Sequence, residues 1–379
     1  MSSFTRQRGS THTAYWHTLD AATGNRVQHS KGGFNTKKAA KEHLNSIMGK
    51  VQEGSWQPDQ PITVKELLDD HWLPAQKSRE LRPTTIEQYT NVISAWIVPN
   101  IGGVKVPALT PATVNGMVET LRTTKSSRGR EGLSTRSAQL AVSVLKSACA
   151  WALKNGLLGR NPLSGLDRPR SKPKAMKCWS AEEAKAFLAH TRDDRIAFAW
   201  SLLLTRGLRR GELCGLRWTD VDLAGAALRI NQTRVTAEGK AIDSSPKTEA
   251  GRRSVPLDGA LVSILRSYKA RQAAEKLAAG TAYEDDGYLL ADELGRPCHP
   301  DTLSGWFDNA IAKTDLPRLR LHDTRHTAAS LMLASGVPVK VVSDMLGHSS
   351  PTITLSIYAH TLPGMAAEAG AALSASLLG

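Results

Sequence analysis

The chain has 379 residues, with 49 Lys and Arg against 35 Asp and Glu, a formal charge of +14 and an isoelectric point of about 9.7. That cation surplus asks for a polyanionic partner, nucleic acid first and an acidic membrane surface second. No apolar run approaches the length that spans a bilayer, and Cys149, Cys178, Cys214 and Cys298 stand far apart with no Cys-x-x-Cys pair, which argues against a transmembrane protein, a disulfide scaffold and a zinc ribbon.

This length predicts two or three domains, each with its own core. The opening segment, MSSFTRQRGST, has no hydrophobic signal region, so a cytoplasmic protein is expected. Residues 1–56 read as a small β-rich unit with one helix. HTAYWHTLD and RVQHSKGGF are strand candidates around an AATGN turn. Asn35 or Thr36 then caps a helix whose apolar face is Ala40, Leu44, Ile47, Met48 and Val51. Arg6, Arg8, Arg26, Lys31, Lys37 and Lys38 crowd this unit beside its aromatics, and they are the candidate DNA contacts here.

GSWQPDQP, residues 54–61, reads as a linker. Residues 62–166 read as a helical domain of four or five helices. Thr63 with Glu66 and Thr84 with Glu87 have capping-box spacing. Thr110 followed by Pro111 starts another helix, and Ser134 starts one that stops near Asn155 and Gly156. Residues 167–177, DRPRSKPKAMK, are too rich in proline and cations for a helix interior. They read as a basic interdomain linker in which Arg168, Arg170, Lys172 and Lys174 are candidate DNA contacts, since a tether along DNA gains from counterion release.

The last domain, 178–379, opens on a third capping box, Ser180 with Glu183. LRINQTRV is predicted as one strand, with further strands near Lys240 and at RRSVPL, and LVSILRSYKARQAAEKL as a helix. Across this domain run Arg209, Lys247, His322, Arg325, His348 and Tyr358. Two guanidiniums, an ammonium, two imidazoles and a phenol make a poor core, but they suit the surroundings of one phosphodiester. Guanidinium is planar and always charged, so Arg209 and Arg325 fit two-pronged grips on non-bridging oxygens. His322 and Arg325 are three apart and share a helical face. Glu212, one turn past Arg209, is read as orienting the active-site bases from behind, because a carboxylate on the phosphate would repel it. His322 and His326 have zinc-ligand spacing, but Arg325 lies between them and no third ligand is near, so no metal is assigned.

The boxes GLRRGELCGLRWTDVDL, SSPKTEAGRRSVPL and HDTRHTAASLMLASGVPVKVVSDMLGHSSPTITLSIYAH resemble, in order and spacing, those of the tyrosine recombinase (lambda-integrase) family. Residues 62–160 resemble its helical core-binding domain, and 1–56 the three-stranded, one-helix arm-binding domain of some phage and integrative-element integrases. The resemblance implies a multidomain α+β protein, with a small β-sheet-plus-helix N-terminal domain and an all-α core-binding domain. The catalytic domain would be mainly α with a small antiparallel sheet, the DNA breaking-rejoining fold.

For the site, the resemblance implies that Tyr358 is the nucleophile. Lys247 would protonate the departing 5′ oxygen, His322 would contact the phosphate and help move the nucleophile's proton, and His348 would donate a hydrogen bond to it. The family often has leucine where this chain has Thr324, which leaves the offsets unchanged. A phenol with a pKa near 10 needs such cations to favour its phenolate. The covalent ester keeps the bond energy, so no cofactor is implied.

By the same resemblance the protein is a site-specific recombinase that integrates and excises a prophage or mobile element in a bacterial cell, at the nucleoid. Its partners would be double-stranded core and arm attachment sites, a homotetramer on DNA, and possible host DNA-bending and directionality proteins. The tail after Tyr358 would pack in a neighbouring protomer or in cis. The alternatives are a Xer-like chromosome-dimer resolvase, a type IB topoisomerase and, from another class, a non-catalytic DNA-binding regulator.

Overall fold

Residues 3–19, 26–52, 62–124, 132–167, 176–246, 249–358, 374–375 and 377–378 are described by the computed structural model. The chain divides into two units, residues 1–172 and 173–379.

In the first unit, β1 (Ser3–Arg8), β2 (Thr11–Leu19) and β3 (Arg26–Phe34) form an antiparallel sheet in that order, followed by α1 (Lys37–Gln52). Thr13, Ala14, Tyr15 and Trp16 of the central strand β2 are all buried, and ring contacts mark the face that meets α1. Ala14 and Trp16 lie on that face with Ala40 and Leu44 of α1, and the rings of Trp16 and Phe34 both meet His43. Thr36 caps α1, accepting from the Ala39 amide at 3.1 Å. The strand β1 is an addition to the periodicity reading. Ser3–Arg8 has one apolar side chain, Phe4, and an edge strand with a polar outer face shows little hydrophobic alternation.

The helical part of this unit begins with the Thr63–Glu66 capping box in full, both reciprocal bonds present. From there α2 (Val64–Glu66) runs through a π-helical turn, Leu67–Trp72, into α3 (Leu73–Lys77). Likewise α4 (Pro83–Val92) runs through a π-helical turn, Ile93–Ile97, into α5 (Val98–Ile101). Each π turn ends two residues before a proline. The Leu73 amide reaches Leu68 O and the Val98 amide reaches Ile93 O, so the helix widens where Pro74 and Pro99 supply no N–H.

The expected Thr84–Glu87 box is not formed. α4 starts at Pro83 with Arg82 before it and no side-chain cap, because proline's fixed φ suits the first helical turn and moves the start ahead of Thr84. Next come α6 (Pro111–Thr123), capped by Thr110, and α7 (Thr135–Lys154), capped by Ser134. Leu67, Leu68, Trp72, Ile93, Ile97, Val114, Leu145 and Cys149 form the core of these helices. Each fully buried aliphatic side chain contributes on the order of 1.5–3 kcal/mol over exposure. The AATGN turn, residues 54–61, most of the 123–132 loop and residues 168–175 of the basic linker lie outside the described residues.

The second unit is mainly helical. α8 (Ala181–His190) starts at the Ser180–Glu183 capping box, and α9 (Ala197–Arg206) ends at Gly207, whose φ of +62° turns the chain into α10 (Arg210–Gly215). Then come β4 (Val221–Asp222), β5 (Ala227–Ile230), β6 (Thr233–Ala237), β7 (Lys240–Ser244), β8 (Arg253–Pro256) and α11 (Gly259–Ala279). The last helices are α12 (Pro300–Ile311), α13 (Asp323–Ala334), α14 (Val339–Leu346) and α15 (Pro351–Tyr358). Trp179, Phe187, Trp200 and Phe307 meet at the centre of its core.

LRINQTRV is two strands in two sheets, not one. β5 sits in a β4-β5-β8 sheet and β6 in a β6-β7 hairpin. The break falls at Asn231 and Gln232, whose amides donate to Asp220 Oδ1 at 2.9 Å and to Gly215 O at 2.6 Å. The hairpin then lies directly on α10: a Cβ at Gly211 would be 2.6 Å from Arg234 O, and one at Gly215 would be 3.0 Å from Arg234 N. Its stem is clasped by Tyr288. The ring lies under the guanidiniums of Arg217 and Arg234, and the phenol bonds to Asp243.

Candidate active site

The C-terminus of α14 gathers three arginines from three different parts of the sequence. Arg253 Nε donates to Met345 O at 2.6 Å, Arg325 Nη2 to Leu346 O at 2.5 Å, and Arg209 Nη2 to Gly347 O at 3.0 Å. These are three consecutive carbonyls at a helix end, where main-chain acceptors lack intrahelical donors and the dipole favours cations. Gly347 closes the helix with φ +66°, and a Cβ there would be 2.8 Å from Ala250 O and 2.9 Å from Arg253 Nη1. Glycine is therefore required twice over, by conformation and by space.

Behind the arginines lies Glu212, its side chain 1% exposed. Its Oε1 accepts from Arg209 Nη1 at 2.6 Å and Arg253 Nη1 at 3.0 Å; its Oε2 accepts from the Arg209 amide and from Arg253 Nη2, both at 2.9 Å. Burial alone would raise this carboxyl's pKa. The hydrogen bonds and charge of Arg253, then the charge of Arg209, outweigh it and hold the group below its ordinary value. Arg209 precedes α10 and has a side chain 39% exposed, against 7% for Arg253. Arg325 is buried in α13, its Nη1 also donating to Gly207 O at 2.7 Å.

His348 follows this seat. Loss of hydration, then the charges of Arg325 and Arg209, push its pKa down to about 4, so the ring is neutral at neutral pH. Its Nδ1 lies 2.8 Å from the hydroxyl of Thr354, in α15. His322 immediately precedes α13, is exposed, and packs edge-on against His326 at 5.3 Å. Partial desolvation, then His326 and Arg325, lower its pKa as well.

The structure thus seats Arg209 and Arg325 on the turn that leads into His348, with Glu212 bonded behind Arg209 and His322 within electrostatic reach of Arg325. Tyr358 ends α15, ten residues past His348, and the structure describes its backbone. Lys247 lies outside the described residues, as do Arg168, Arg170, Lys172 and Lys174. Arg253 was not singled out from the sequence. The adjacent pair Arg252-Arg253 gives no local sign of which guanidinium turns inward.

In the first unit, strand register separates the cationic candidates. Phe4 pairs with Tyr15, Arg6 with Thr13 and Arg8 with Thr11; Tyr15 pairs in turn with Ser30, His17 with Gln28 and Leu19 with Arg26. Arg6, Arg8 and Arg26 therefore share the face away from α1, with stacked Phe4 and Tyr15 beside them. Lys31 pairs with Ala14, on the helix side, and Lys37 and Lys38 are exposed at the start of α1. Among the described residues there is no His/Cys/Asp/Glu cluster suited to a metal ion, and no helix long and apolar enough to cross a membrane.

This order of parts, a sheet-and-helix unit, a helical bundle and a helical unit with a cation pocket, matches three family descriptions along the chain. They are an Arm DNA-binding domain at residues 6–51, a Phage integrase N-terminal SAM-like domain at 63–121, and the Phage integrase family at 178–364. The chain is 28% identical over 347 residues to a "Tyrosine recombinase XerC-like" protein of Caldanaerobacter subterraneus subsp. tengcongensis, covering 86% of this chain and 87% of that one. It is 27% identical over 239 residues to the ICEBs1 integrase of Bacillus subtilis, covering 62% and 65%. Its fold resembles that of the Tn1549 transposon integrase solved in complex with transposon right end DNA. The TM-score is 0.66 at 20% identity, covering 84% of this chain and 100% of that one. The chain belongs to the phage integrase family, the lambda-integrase-like tyrosine recombinases.

Proposed function

We propose that this chain is a site-specific DNA recombinase, an integrase that cuts and rejoins double-stranded DNA through a 3′-phosphotyrosyl intermediate. One observation carries the reading: Arg209 and Arg325 are seated side by side on Gly347 O and Leu346 O, next to His348, on the stretch that leads to Tyr358.

In this reading Arg209 and Arg325 hold the two non-bridging oxygens of the scissile phosphate, and their fixed seats provide charge stabilisation without reorganisation. The Tyr358 oxygen forms a bond to phosphorus as the bond to the 5′ oxygen breaks. The phenol proton leaves toward His322, and Lys247 supplies the proton that the 5′ oxygen takes up. A neutral His348 whose Nδ1 accepts from Thr354 carries its proton on Nε2, the tautomer that donates to a phosphate oxygen. The second half reverses these transfers with the 5′ hydroxyl of a partner strand. No bond energy is lost, so no nucleotide cofactor is needed.

The layout we propose is an arm-type DNA-binding domain at 1–56, a core-binding domain at 62–166, a basic linker at 167–177, and a catalytic domain of DNA breaking-rejoining fold at 178–379. Arg6, Arg8 and Arg26 would face arm-site DNA. Arg168, Arg170, Lys172 and Lys174 would track the duplex between domains. Two DNA-binding regions on one chain raise effective concentration when both sites lie on one molecule. The working assembly is a homotetramer on DNA in the bacterial cytoplasm, aided by a DNA-bending host protein and a directionality factor.

Tyr358→Phe tests the reading. With a nicked suicide duplex, covalent protein–DNA adducts should vanish while duplex binding persists; adducts formed by the variant would remove the nucleophile assignment. A resolvase role is the second reading, favoured by the XerC-like relative that spans most of the chain. The Arm DNA-binding match at 6–51 favours integration. Recombination that requires arm sites separates the two.

A further inference from the structure

We infer that Arg253 is a positioning residue of the phosphate pocket, one that keeps the buried Glu212 from cancelling the charge of Arg209. The inference rests on Arg209 gripping the scissile phosphate, as proposed above.

Glu212 fixes Arg209 in place through its side chain and its amide. That service has an electrostatic cost. A buried carboxylate 2.6 Å from the guanidinium opposes the very charge that is to meet the phosphate. Arg253 removes the conflict. Its forked Nη1 and Nη2 bond both Glu212 oxygens, so the carboxylate has four donors and its lone-pair sites are filled. Arg209, Glu212 and Arg253 together then carry one net positive charge. Without Arg253 the Arg209–Glu212 pair is neutral.

The placement fits this single role. Arg253 is the first residue of β8, buried, with its remaining bonds to Met345 O and to Gly251 O at 3.3 Å. It leaves the open face of the pocket to Arg209. Its contact with Met345 O also ties β8 to the turn that presents Gly347 and His348. A lysine there would keep a charge but lose the fork, and with it the even neutralisation of both carboxylate oxygens.

The test is single-turnover covalent capture by the full chain. The probe is a suicide duplex whose core has been selected from a random-core library by capture on the native protein. Arg253→Met should lower the cleavage rate by about 10²-fold, with duplex affinity little changed. Adding Glu212→Gln to it should restore roughly tenfold of that loss, because removing the carboxylate returns Arg209's charge. The double variant also leaves no buried unpaired ion, so it stays informative if Arg253→Met alone folds poorly. A double variant no faster than the worse single variant would mean that Arg253 only supports the fold, and would overturn the inference.

A second readout uses a duplex with a neutral methylphosphonate at the scissile position. The Arg253→Met defect should shrink there; an undiminished defect would also overturn the inference. Arg209→Ala is run alongside. If it cleaves the natural duplex normally, the phosphate-grip reading itself fails. If it does not, but Glu212→Gln restores nothing to Arg253→Met, only the role of Arg253 falls.

Discussion

His348 Nδ1 and the Thr354 hydroxyl are 2.8 Å apart, and this bond joins the Leu-Gly-His turn to the helix that ends in Tyr358. Thr354 is fully buried, so its hydroxyl has a fixed partner and no competition from bulk water.

Thr354→Val keeps the shape and deletes the hydroxyl. It leaves the imidazole nitrogen unsatisfied, a loss of about 1–3 kcal/mol, and frees the ring to change tautomer. Cleavage of a suicide duplex should slow by roughly 5- to 150-fold, following that same loss. Cleavage at the native rate would show that the tautomer of His348 is set elsewhere.

Acid should destabilise the second unit well before its carboxylates titrate. His348 is held down to about 4, and the pKa values of His322 and His326 are also lowered. Between the unfolded value, about 6.5, and these folded values, the unfolded chain binds protons that the folded chain does not. Stability therefore falls as pH drops through that window. Melting temperatures between pH 7 and pH 5, about the span where histidine titrates, should decline in the native protein and less steeply in His348→Asn. Carboxylates with lowered pKa values, Glu212 and Asp323 among them, are lost from the balance only at lower pH. Identical slopes for the two proteins would place the acid sensitivity outside this site.

The outward face of the β1-β2-β3 sheet predicts a salt signature. Replacing Arg6, Arg8 and Arg26 together by alanine should reduce the slope of log affinity against log salt for arm-site duplex by about 0.9 for each phosphate that is no longer neutralised. The same treatment of Lys37 and Lys38, which lie off that face, should change the slope less. Equal effects from both sets would mean that the helix start, not the sheet, follows the backbone.

Local chemistry was legible in the sequence; distant contacts were not. The caps at Thr63, Thr110, Ser134 and Ser180 were readable because a cap involves residues three positions apart. The Thr84–Glu87 box had the same spacing, but Pro83 already offered a better start. The strand break at Asn231 and Gln232 depends on Gly215, which is close only after folding. Arg209, Arg325 and His348 were identified through their motifs, and they do converge. Arg253 was missed because its partners, Glu212 and Met345, lie 41 and 92 residues away. The two arginines of β1 and one of β3 were indistinguishable from three neighbouring lysines until pairing register set them apart.

The seat at residues 345–347 has a consequence for how this pocket withstands mutation. Its acceptors are main-chain oxygens, so no side-chain replacement can delete them. Met345, half-buried, is free to drift among residues that keep α14 helical. Leu346 is held by packing, since its side chain lies where a Cβ on Gly207 would go. Vulnerability is concentrated in the single glycine at 347, where any side chain would meet Ala250 O and Arg253 and bend the chain away from all three cations together.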